Sequence, residues 1–149
     1  MAIRIPGTIH GGKTCLQPVN LQDLYPTLVD LLGHHVLPHN SIDGHSLRPL
    51  LENPDFKQWA WPSITYFGQN WIGLRNEQFR YISYPDGGKE LYDHRQDPWE
   101  LTNLAKDSSF QTTQILFEPF FPDSMAVPIP GRWTTRIKNI EATHSMENH

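Results

Sequence analysis

Several features that define large classes of protein are missing from this sequence of 149 residues. It has a single cysteine, Cys15, so an internal disulfide framework is excluded. No apolar run approaches the roughly 20 residues of a membrane-spanning helix, so no membrane partner is expected. The formal net charge of −4 gives no basic footprint and argues against nucleic acid as a partner. Residues 1–6 lack the apolar core of a secretory signal, and the cellular location stays open.

Proline and aromatic residues are plentiful instead. The 13 prolines mark boundaries between short elements. Five Trp, five Tyr and seven Phe indicate either a small aromatic core or a surface that a missing partner covers. The length fits one domain or the end of a larger one.

The clearest helix is predicted over about residues 23–32. Leucines recur there at helical spacing: Leu21, Leu24, Leu28, Leu31 and Leu32. Because Pro26 is tolerated only in a first turn, the regular helix is predicted to begin near Asp23, whose side chain would cap it. A separate turn precedes Asp23, and Gly33 is a natural stop.

Shorter elements are predicted on both sides of this helix. Residues 1–5 alternate and are β-branched, which predicts a short strand. Ser46 can cap a short helix through Leu51, and Asp97 to Glu100 begin a helical turn. Residues 111–117 fit a short helix or a strand equally well.

The hydrophobic period changes to that of strands after residue 62. Four strands are predicted: Ser63–Phe67, Trp71–Arg75, Phe79–Tyr84 and Lys89–Tyr92. The turns between them are short, which favours an antiparallel meander over parallel crossovers. Residues 120–133 are proline-rich and are predicted to be extended, docked or loose chain. Residues 134–149 are expected to be disordered.

Few residues are candidates for chemistry. The histidines nearest each other are His34, His35, His39 and His45, but Pro38 breaks the helical spacing that a zinc site uses, so solvated loop histidines are favoured. Gly7, Gly12, Lys13 and Thr14 have P-loop spacing, yet Pro18 follows where a helix should continue. Cys15 has no base to orient it and is interpreted as a filler.

Arg75 is the one candidate binding residue. It lies in sequence among apolar neighbours: Trp71, Ile72, Leu74 and Phe79. A charge in such surroundings needs a carboxylate or an oxyanion partner. Two hypotheses follow, a structural ion pair, which we favour, and a contact with an anionic substrate.

Several phrases in a fixed order resemble the late region of type I sulfatases. They are IRIPG at 3–7, PVNLQDLYPTL at 18–28, DGHSLRPLL at 43–51, GLRNEQFRY at 73–81, ELYD at 90–93 and DPWELTNL at 97–104. Together they cover about residues 1–107, and they are most similar to the iduronate-2-sulfatase-like group.

This resemblance implies an α+β fragment of the alkaline-phosphatase-like fold. Residues 1–33 would be the final strand and helix of its large α/β domain, and 34–60 a connecting segment with a short helix. Residues 61–107 would form the small C-terminal antiparallel sheet, and 108–149 an irregular tail.

The resemblance also implies sulfuric ester hydrolysis by the whole enzyme. The family's nucleophile is a formylglycine made from Cys/Ser-x-Pro-x-Arg, and a calcium ion steadies the sulfate charge. The phrase from Cys15 to Val19 does not fit, because its proline is one place late and the arginine is absent. No catalytic or metal-binding residue is therefore predicted, and both cofactors are expected only in the full-length enzyme.

Three hypotheses for function remain. The first is a C-terminal sulfatase portion that needs the missing N-terminal region and is inactive alone. The second is an autonomous, non-catalytic module that binds sulfated glycans through Trp59, Trp61 and Trp71. The third is a fragment of a related phosphonate or phosphate ester hydrolase. A fragment should expose the leucine face of the helix, whereas a module should not.

Overall fold

The computed structural model describes residues 1–7, 11–33 and 42–122, which form an α+β arrangement of short elements. Helix α1 (Leu24–Leu31) follows a 3-10 turn at Leu21–Asp23, and α2 is Arg48–Glu52. The strands are β1 (Ser63–Gly68), β2 (Trp71–Arg75), β3 (Phe79–Ser83) and β4 (Lys89–Asp93). Two further 3-10 turns, Ser108–Phe110 and Glu118–Phe120, flank α3 (Gln111–Ile115). None of the helices in these ranges has both the length and the apolar character needed to span a bilayer.

Helix α1 begins where Pro26 predicts, but Asp23 does not cap it as expected. The 3-10 turn already gives Asp23 a helical backbone (φ −72°, ψ −15°), so its carboxylate points backwards and not toward the free amides of α1. It accepts the N–H of Asn20 at 2.7 Å and the N–H of His45 at 3.0 Å. Asp23 therefore fastens the turn and the loop before α2 to the start of the helix.

The sheet is the predicted antiparallel meander, with strand order β1-β2-β3-β4. Strand β2 has the predicted bounds, and each of the other strands differs from its prediction by one residue at its C-terminal end. Asn76 shapes the second turn, since its side-chain oxygen accepts the N–H groups of Gln78 and Phe79. Gly87 supplies the positive φ of the third turn.

One face of the sheet carries the core. The buried residues are Ile72, Leu74, Tyr81, Leu91 and Phe117. The Phe117 ring stacks on Tyr81 at 5.7 Å between ring centroids, and Phe121 meets Tyr81 edge-on at 5.9 Å. The segment 108–121 thus covers the sheet with its own aromatic side chains.

Over 108–120 the predicted irregular tail has three short helical elements, and the middle one, α3, lies in the stretch 111–117 for which a short helix was one of the two predictions. The segment is ordered because the apolar sheet face would otherwise lie open to water. The proline-rich stretch from 123 onward and the expected disorder of 134–149 lie outside the described residues. The boundaries between the four predicted segments stay a prediction.

One other local prediction is wrong. Residues 1–5 form no strand, because a strand needs a neighbour to take its hydrogen bonds and the described sheet offers none to this segment. The helical turn predicted to begin at Asp97 is present as a single turn, closed by the hydrogen bond from the Glu100 N–H to the Asp97 carbonyl. Glu100 has φ +57°, a left-handed backbone conformation that is incompatible with a right-handed helix, so no helix continues beyond this turn.

The helix and the sheet are joined by side chains from residues 17 and 20. The Asn20 side-chain oxygen accepts the Ile64 N–H at 2.6 Å, and its amide donates to the Pro62 carbonyl at 3.3 Å. Gln17 donates to Glu77 at 3.0 Å. These contacts tie the start of α1 to β1 and to the turn after β2.

Candidate functional site

The candidate site lies on the face of the sheet opposite the core. Side chains alternate along a strand, so Trp71, Gly73 and Arg75 share one face of β2 while Ile72 and Leu74 point to the core. The strand register places three rows on this face. They are Gly68–Trp71, then Thr65–Gly73–Ile82–Glu90, then Ser63–Arg75–Arg80–Tyr92.

Arg75 is exposed at the end of β2, between Ser63 of β1 and Arg80 of β3. Its apolar sequence neighbours, Ile72 and Leu74, lie on the other face. Within the described residues no carboxylate lies at ion-pair distance from its guanidinium. The structural ion pair that we favoured for Arg75 therefore has no carboxylate partner among the described residues. A contact between Arg75 and a substrate stays a prediction.

The charge of Arg80, which lies opposite Arg75 on β3, is neutralised by the carboxylate of Glu100. Nη1 of Arg80 lies 2.7 Å from Glu100 Oε2, and Nε2 of His94 lies 2.7 Å from Glu100 Oε1. Like charges on directly opposed strand residues repel, so this carboxylate relieves the Arg75–Arg80 pair and leaves the charge of Arg75 uncompensated. Sequence reasoning missed this group, because the left-handed backbone at Glu100 that aims its side chain has no sequence signal.

Burial and two hydrogen-bond partners together set the pKa of the Glu100 carboxyl. Burial acts to raise the pKa of its carboxyl, but the hydrogen bonds from Arg80 and His94 outweigh burial, and the pKa lies below the ordinary value of 4.5. A carboxyl with a lowered pKa stabilises the fold above its unfolded-state pKa, and that contribution is lost as the pH falls through the folded-state value.

We expect Glu100→Gln to lower the free energy of unfolding by about 1–2 kcal/mol at pH 7, because Arg80 loses its charged partner. The difference from the unaltered chain should shrink as the pH falls below about 4.5. Urea denaturation across pH 3–7 measures it. The exposed Glu118→Gln variant is the control, and a pH-independent difference for Glu100→Gln would contradict the assignment.

Three aromatic rings, here called the aromatic ladder, lie on the same face. They are Phe67, Trp71 and Tyr84, with centroid distances of 5.3 Å and 5.6 Å and interplanar angles of 39° and 38°. Phe67 is 49% exposed and Trp71 39% exposed. The Phe67 ring lies over Gly73, where an added Cβ would be 3.7 Å from the ring.

The far side of this face, toward β4, carries a negative group. Tyr92 donates its hydroxyl to Glu90 Oε2 at 3.0 Å. Burial, followed by the Glu90 carboxylate, raises the pKa of Tyr92 to about 12 and raises that of Tyr84. Both hydroxyls are therefore protonated at neutral pH. The face carries Glu90 near β4 and Arg75 near β1.

The three tryptophans grouped by the glycan hypothesis belong to two different ring clusters. Trp61 stacks on His45 at 4.1 Å, and Trp59 meets Trp61 edge-on at 5.1 Å. The Trp59 indole N–H is buried without a hydrogen-bond partner in the described part of the chain. Trp71 belongs to the aromatic ladder instead.

The metal hypotheses find no ligand set in the described residues. His34, His35 and His39 lie outside them. In the ranges 1–7, 11–33 and 42–122 no three side chains of His, Cys, Asp or Glu are grouped to hold a metal ion. These residues therefore do not fit the calcium that the resemblance implies for the whole enzyme. Cys15 is a half-buried free thiol.

Comparison with known proteins identifies the family. Residues 1–123 match the model of the N-sulphoglucosamine sulphohydrolase C-terminal family. A sulfatase of Formosa agariphila is 30% identical over 115 residues, covering 77% of this chain and 22% of the relative. Mouse arylsulfatase K is 37% identical over 103 residues, covering 60% of this chain and 18% of the relative.

A solved structure, that of Ps i-CgsB, shares the fold. It is 23% identical with a TM-score of 0.50, over 69% of this chain and 23% of that chain. The chain spans about a fifth of the length of the curated relatives that it matches. The α+β fold class expected from alkaline-phosphatase-like sulfatases is confirmed. The chain belongs to the N-sulphoglucosamine sulphohydrolase C-terminal family and is a sulfatase C-terminal domain.

Proposed function

We propose that this chain works as the C-terminal part of a sulfuric ester hydrolase and hydrolyses nothing alone. The sequence contains no Cys/Ser-x-Pro-x-Arg, from which the family's formylglycine is made. Ser83-Tyr84-Pro85 comes nearest, but Gly87 stands where the arginine is required. The nucleophile and the calcium ligands would then come from the N-terminal region of a whole enzyme.

The observation that carries this proposal is the uncovered face of α1. Large apolar side chains on α1 and on the residues that flank it are strongly exposed: Leu21 81%, Tyr25 62%, Leu28 58% and Leu32 70%. The opposite side of the helix is held by Thr27, whose hydroxyl accepts the Leu47 N–H at 2.8 Å. A helix covered on one side and apolar on the other is typical of an element that packs against more protein.

The proposed occupant of this face is the N-terminal region of a sulfatase. The face consists of leucines and Tyr25, with no charged residue among them, so it suits a packed protein interior better than a polar ligand. The relatives are several times longer than this chain, which leaves ample protein to cover the helix. The relatives matched carry sulfatase names, which favours a sulfate ester over a phosphonate as the substrate.

Finer assignments are part of the same proposal. The iduronate-2-sulfatase-like subgroup is supported by the phrases at 18–28 and 43–51. Arg75 is proposed to contact the anionic substrate, because its charge has no acidic partner in the described residues. Calcium and formylglycine belong to the whole enzyme.

Sedimentation velocity and an aryl sulfatase assay on the same purified protein test the proposal. The purified chain is expected to self-associate in sedimentation velocity, and Leu28→Lys is expected to reduce that association, because a charge interrupts the apolar face. Leu116→Lys is the matched control, since Leu116 is 67% exposed on another element. None of the three proteins should release product from an aryl sulfate in the presence of calcium.

Two results would count against the proposal. A chain that is monomeric throughout, with no effect of Leu28→Lys, would mean that the α1 face needs no cover. Turnover of the aryl sulfate that is lost when calcium is chelated would mean that the chain is a complete catalyst.

A further inference from the structure

The two edges of the four-stranded sheet are closed to different extents, and the β4 edge is closed along its length. The Leu91 N–H donates to the Asn103 side-chain oxygen at 3.1 Å, and the Leu91 carbonyl accepts the Leu104 N–H at 2.8 Å. The Asn103 side-chain amide donates to the Lys89 carbonyl at 3.2 Å. The Asp93 carbonyl accepts two further backbone N–H groups. The β4 edge therefore has no room for another strand.

The β1 edge is closed at one end only. The Asn20 side chain takes the place of a strand there, since it accepts the Ile64 N–H at 2.6 Å and donates to the Pro62 carbonyl at 3.3 Å. Backbone groups alternate in direction along a strand, so the Tyr66 N–H and carbonyl point away from β2, as the Ile64 N–H does. Neither Tyr66 group has a partner on that side within the described ranges. The edge is open at Tyr66, up to the shift of register that follows it.

The composition of β1 gives this open edge no protection against pairing. Strand β1 contains no charged residue and no proline, and its central residues are β-branched or aromatic. Charged side chains, lysine above all, and proline are the usual means by which proteins keep an exposed edge from pairing with another chain. Short uncharged segments of this kind pair readily with copies of themselves. Tyr66 also keeps 53% of its surface exposed.

We propose that β1 pairs with β1 of a second copy of this chain, antiparallel, about a two-fold axis between the two Tyr66 residues. A second copy fits because two identical antiparallel edges are complementary under two-fold symmetry. Each Tyr66 N–H would donate to the Tyr66 carbonyl of the other copy, with the two Cα atoms about 5.5 Å apart. The two half-exposed Tyr66 rings would then be direct neighbours on one face, where aromatic cross-strand pairs are stabilising.

The assembly closes at two copies. Pairing joins two sheets of four strands into one continuous sheet, and both outer edges of that sheet are β4. Since Asn103 and Leu104 close the β4 edge, no third copy can add to it. The inference goes beyond the proposed function and does not rest on it, because the exposed leucines of α1 take no part in the pairing.

Sedimentation velocity of the Leu28→Lys chain tests the proposal, because this substitution weakens association through the α1 face. We expect a monomer and a dimer in concentration-dependent equilibrium. Adding Tyr66→Pro should weaken dimerisation about twentyfold or more, since proline has no N–H to donate. Tyr66→Thr is the matched control. It keeps the N–H and the strand propensity, so it should weaken dimerisation by less than about fivefold.

Hydrogen exchange of the Leu28→Lys chain gives a second measurement that needs no substitution in β1. The Tyr66 amide should exchange quickly in dilute solution and slowly as the dimer forms. The Ile64 amide is the internal reference, because Asn20 should keep its exchange slow at every concentration. Thermal unfolding of the two Tyr66 variants should be similar, since proline is tolerated in an edge strand where the N–H faces away from the sheet.

Four results would overturn the proposal. They are a Leu28→Lys chain that is monomeric at every concentration, assemblies of that chain larger than a dimer, equal dimerisation of Tyr66→Pro and Tyr66→Thr, and exchange of the Tyr66 amide that does not depend on concentration. The first of these leaves the proposed role of α1 intact. Conversely, a dimer that forms equally with and without Leu28→Lys and dissociates with Tyr66→Pro would support pairing through β1 and count against the role of α1.

Discussion

The Gly44→Ala variant is expected to lose about 3 kcal/mol of its free energy of unfolding, the upper range for forcing an atom into filled space. A Cβ at this position would lie 2.6 Å from the Gln22 carbonyl carbon and 2.9 Å from the Asp23 nitrogen. Both are backbone atoms of the turn before α1, so no side chain can move aside. The close approach also keeps His45 in place to donate to Asp23.

Chemical denaturation measures this loss, with Gly68→Ala as the matched control. Gly68 ends β1, and nothing lies within 4 Å of the Cβ it would gain. The control should change the free energy of unfolding by no more than about 1 kcal/mol. Similar values for the two variants would mean that the loop before α2 is not packed against the turn as described.

The Asp23→Ala variant is expected to lose a similar amount of its free energy of unfolding, about 3 kcal/mol. Asp23 is 1% exposed, and its carboxylate accepts two backbone N–H groups from different segments. Removing it leaves the amides of Asn20 and His45 without partners, and each buried unsatisfied donor costs about 1–3 kcal/mol. Asp23→Asn should fall between, because its amide keeps one acceptor oxygen.

Denaturation of Asp55→Ala provides the comparison. Asp55 is exposed, and its substitution should stay within about 0.5 kcal/mol. If Asp23→Ala changed the free energy of unfolding as little as Asp55→Ala, solvent would have to reach the amides of Asn20 and His45. Asp23 would then not join α1 to the loop at 42–47.

Strand periodicity and turn residues predicted the sheet almost completely. Glycine and Asn-rich turns impose their geometry locally, so the bounds of β2 and the meander could be derived from short stretches of sequence. The helix start followed in the same way from the fixed backbone of Pro26.

The features that the sequence did not predict depended on distant partners. The ordered segment 108–121 has little periodicity of its own, and it is held by contacts such as Phe117 on Tyr81. The carboxylate of Asp23 was expected to cap its own helix, but a loop 22 residues away takes it. Residues 1–5 have strand composition but no neighbouring edge in the described sheet.

The sequence identified Arg75 as a candidate binding residue, but it did not predict how the residues around Arg75 are arranged. Arg75 was selected for its apolar sequence neighbours, yet strand alternation turns two of them, Ile72 and Leu74, to the opposite face. The neutralisation of Arg80 by Glu100 depends on a left-handed backbone that favours no particular sequence. The aromatic ladder needs the register of three strands, which no local pattern contains.

The link from Asn20 to Ile64 has a consequence for the order in which the chain folds. The strands of the meander are joined by turns of a few residues, so the sheet can form from contacts that are near in sequence. Asn20 meets its partner 44 residues away, and closing a loop of that length costs roughly 3 kcal/mol of chain entropy. The sheet with its ladder should therefore assemble first, and α1 should join it afterwards as a late step.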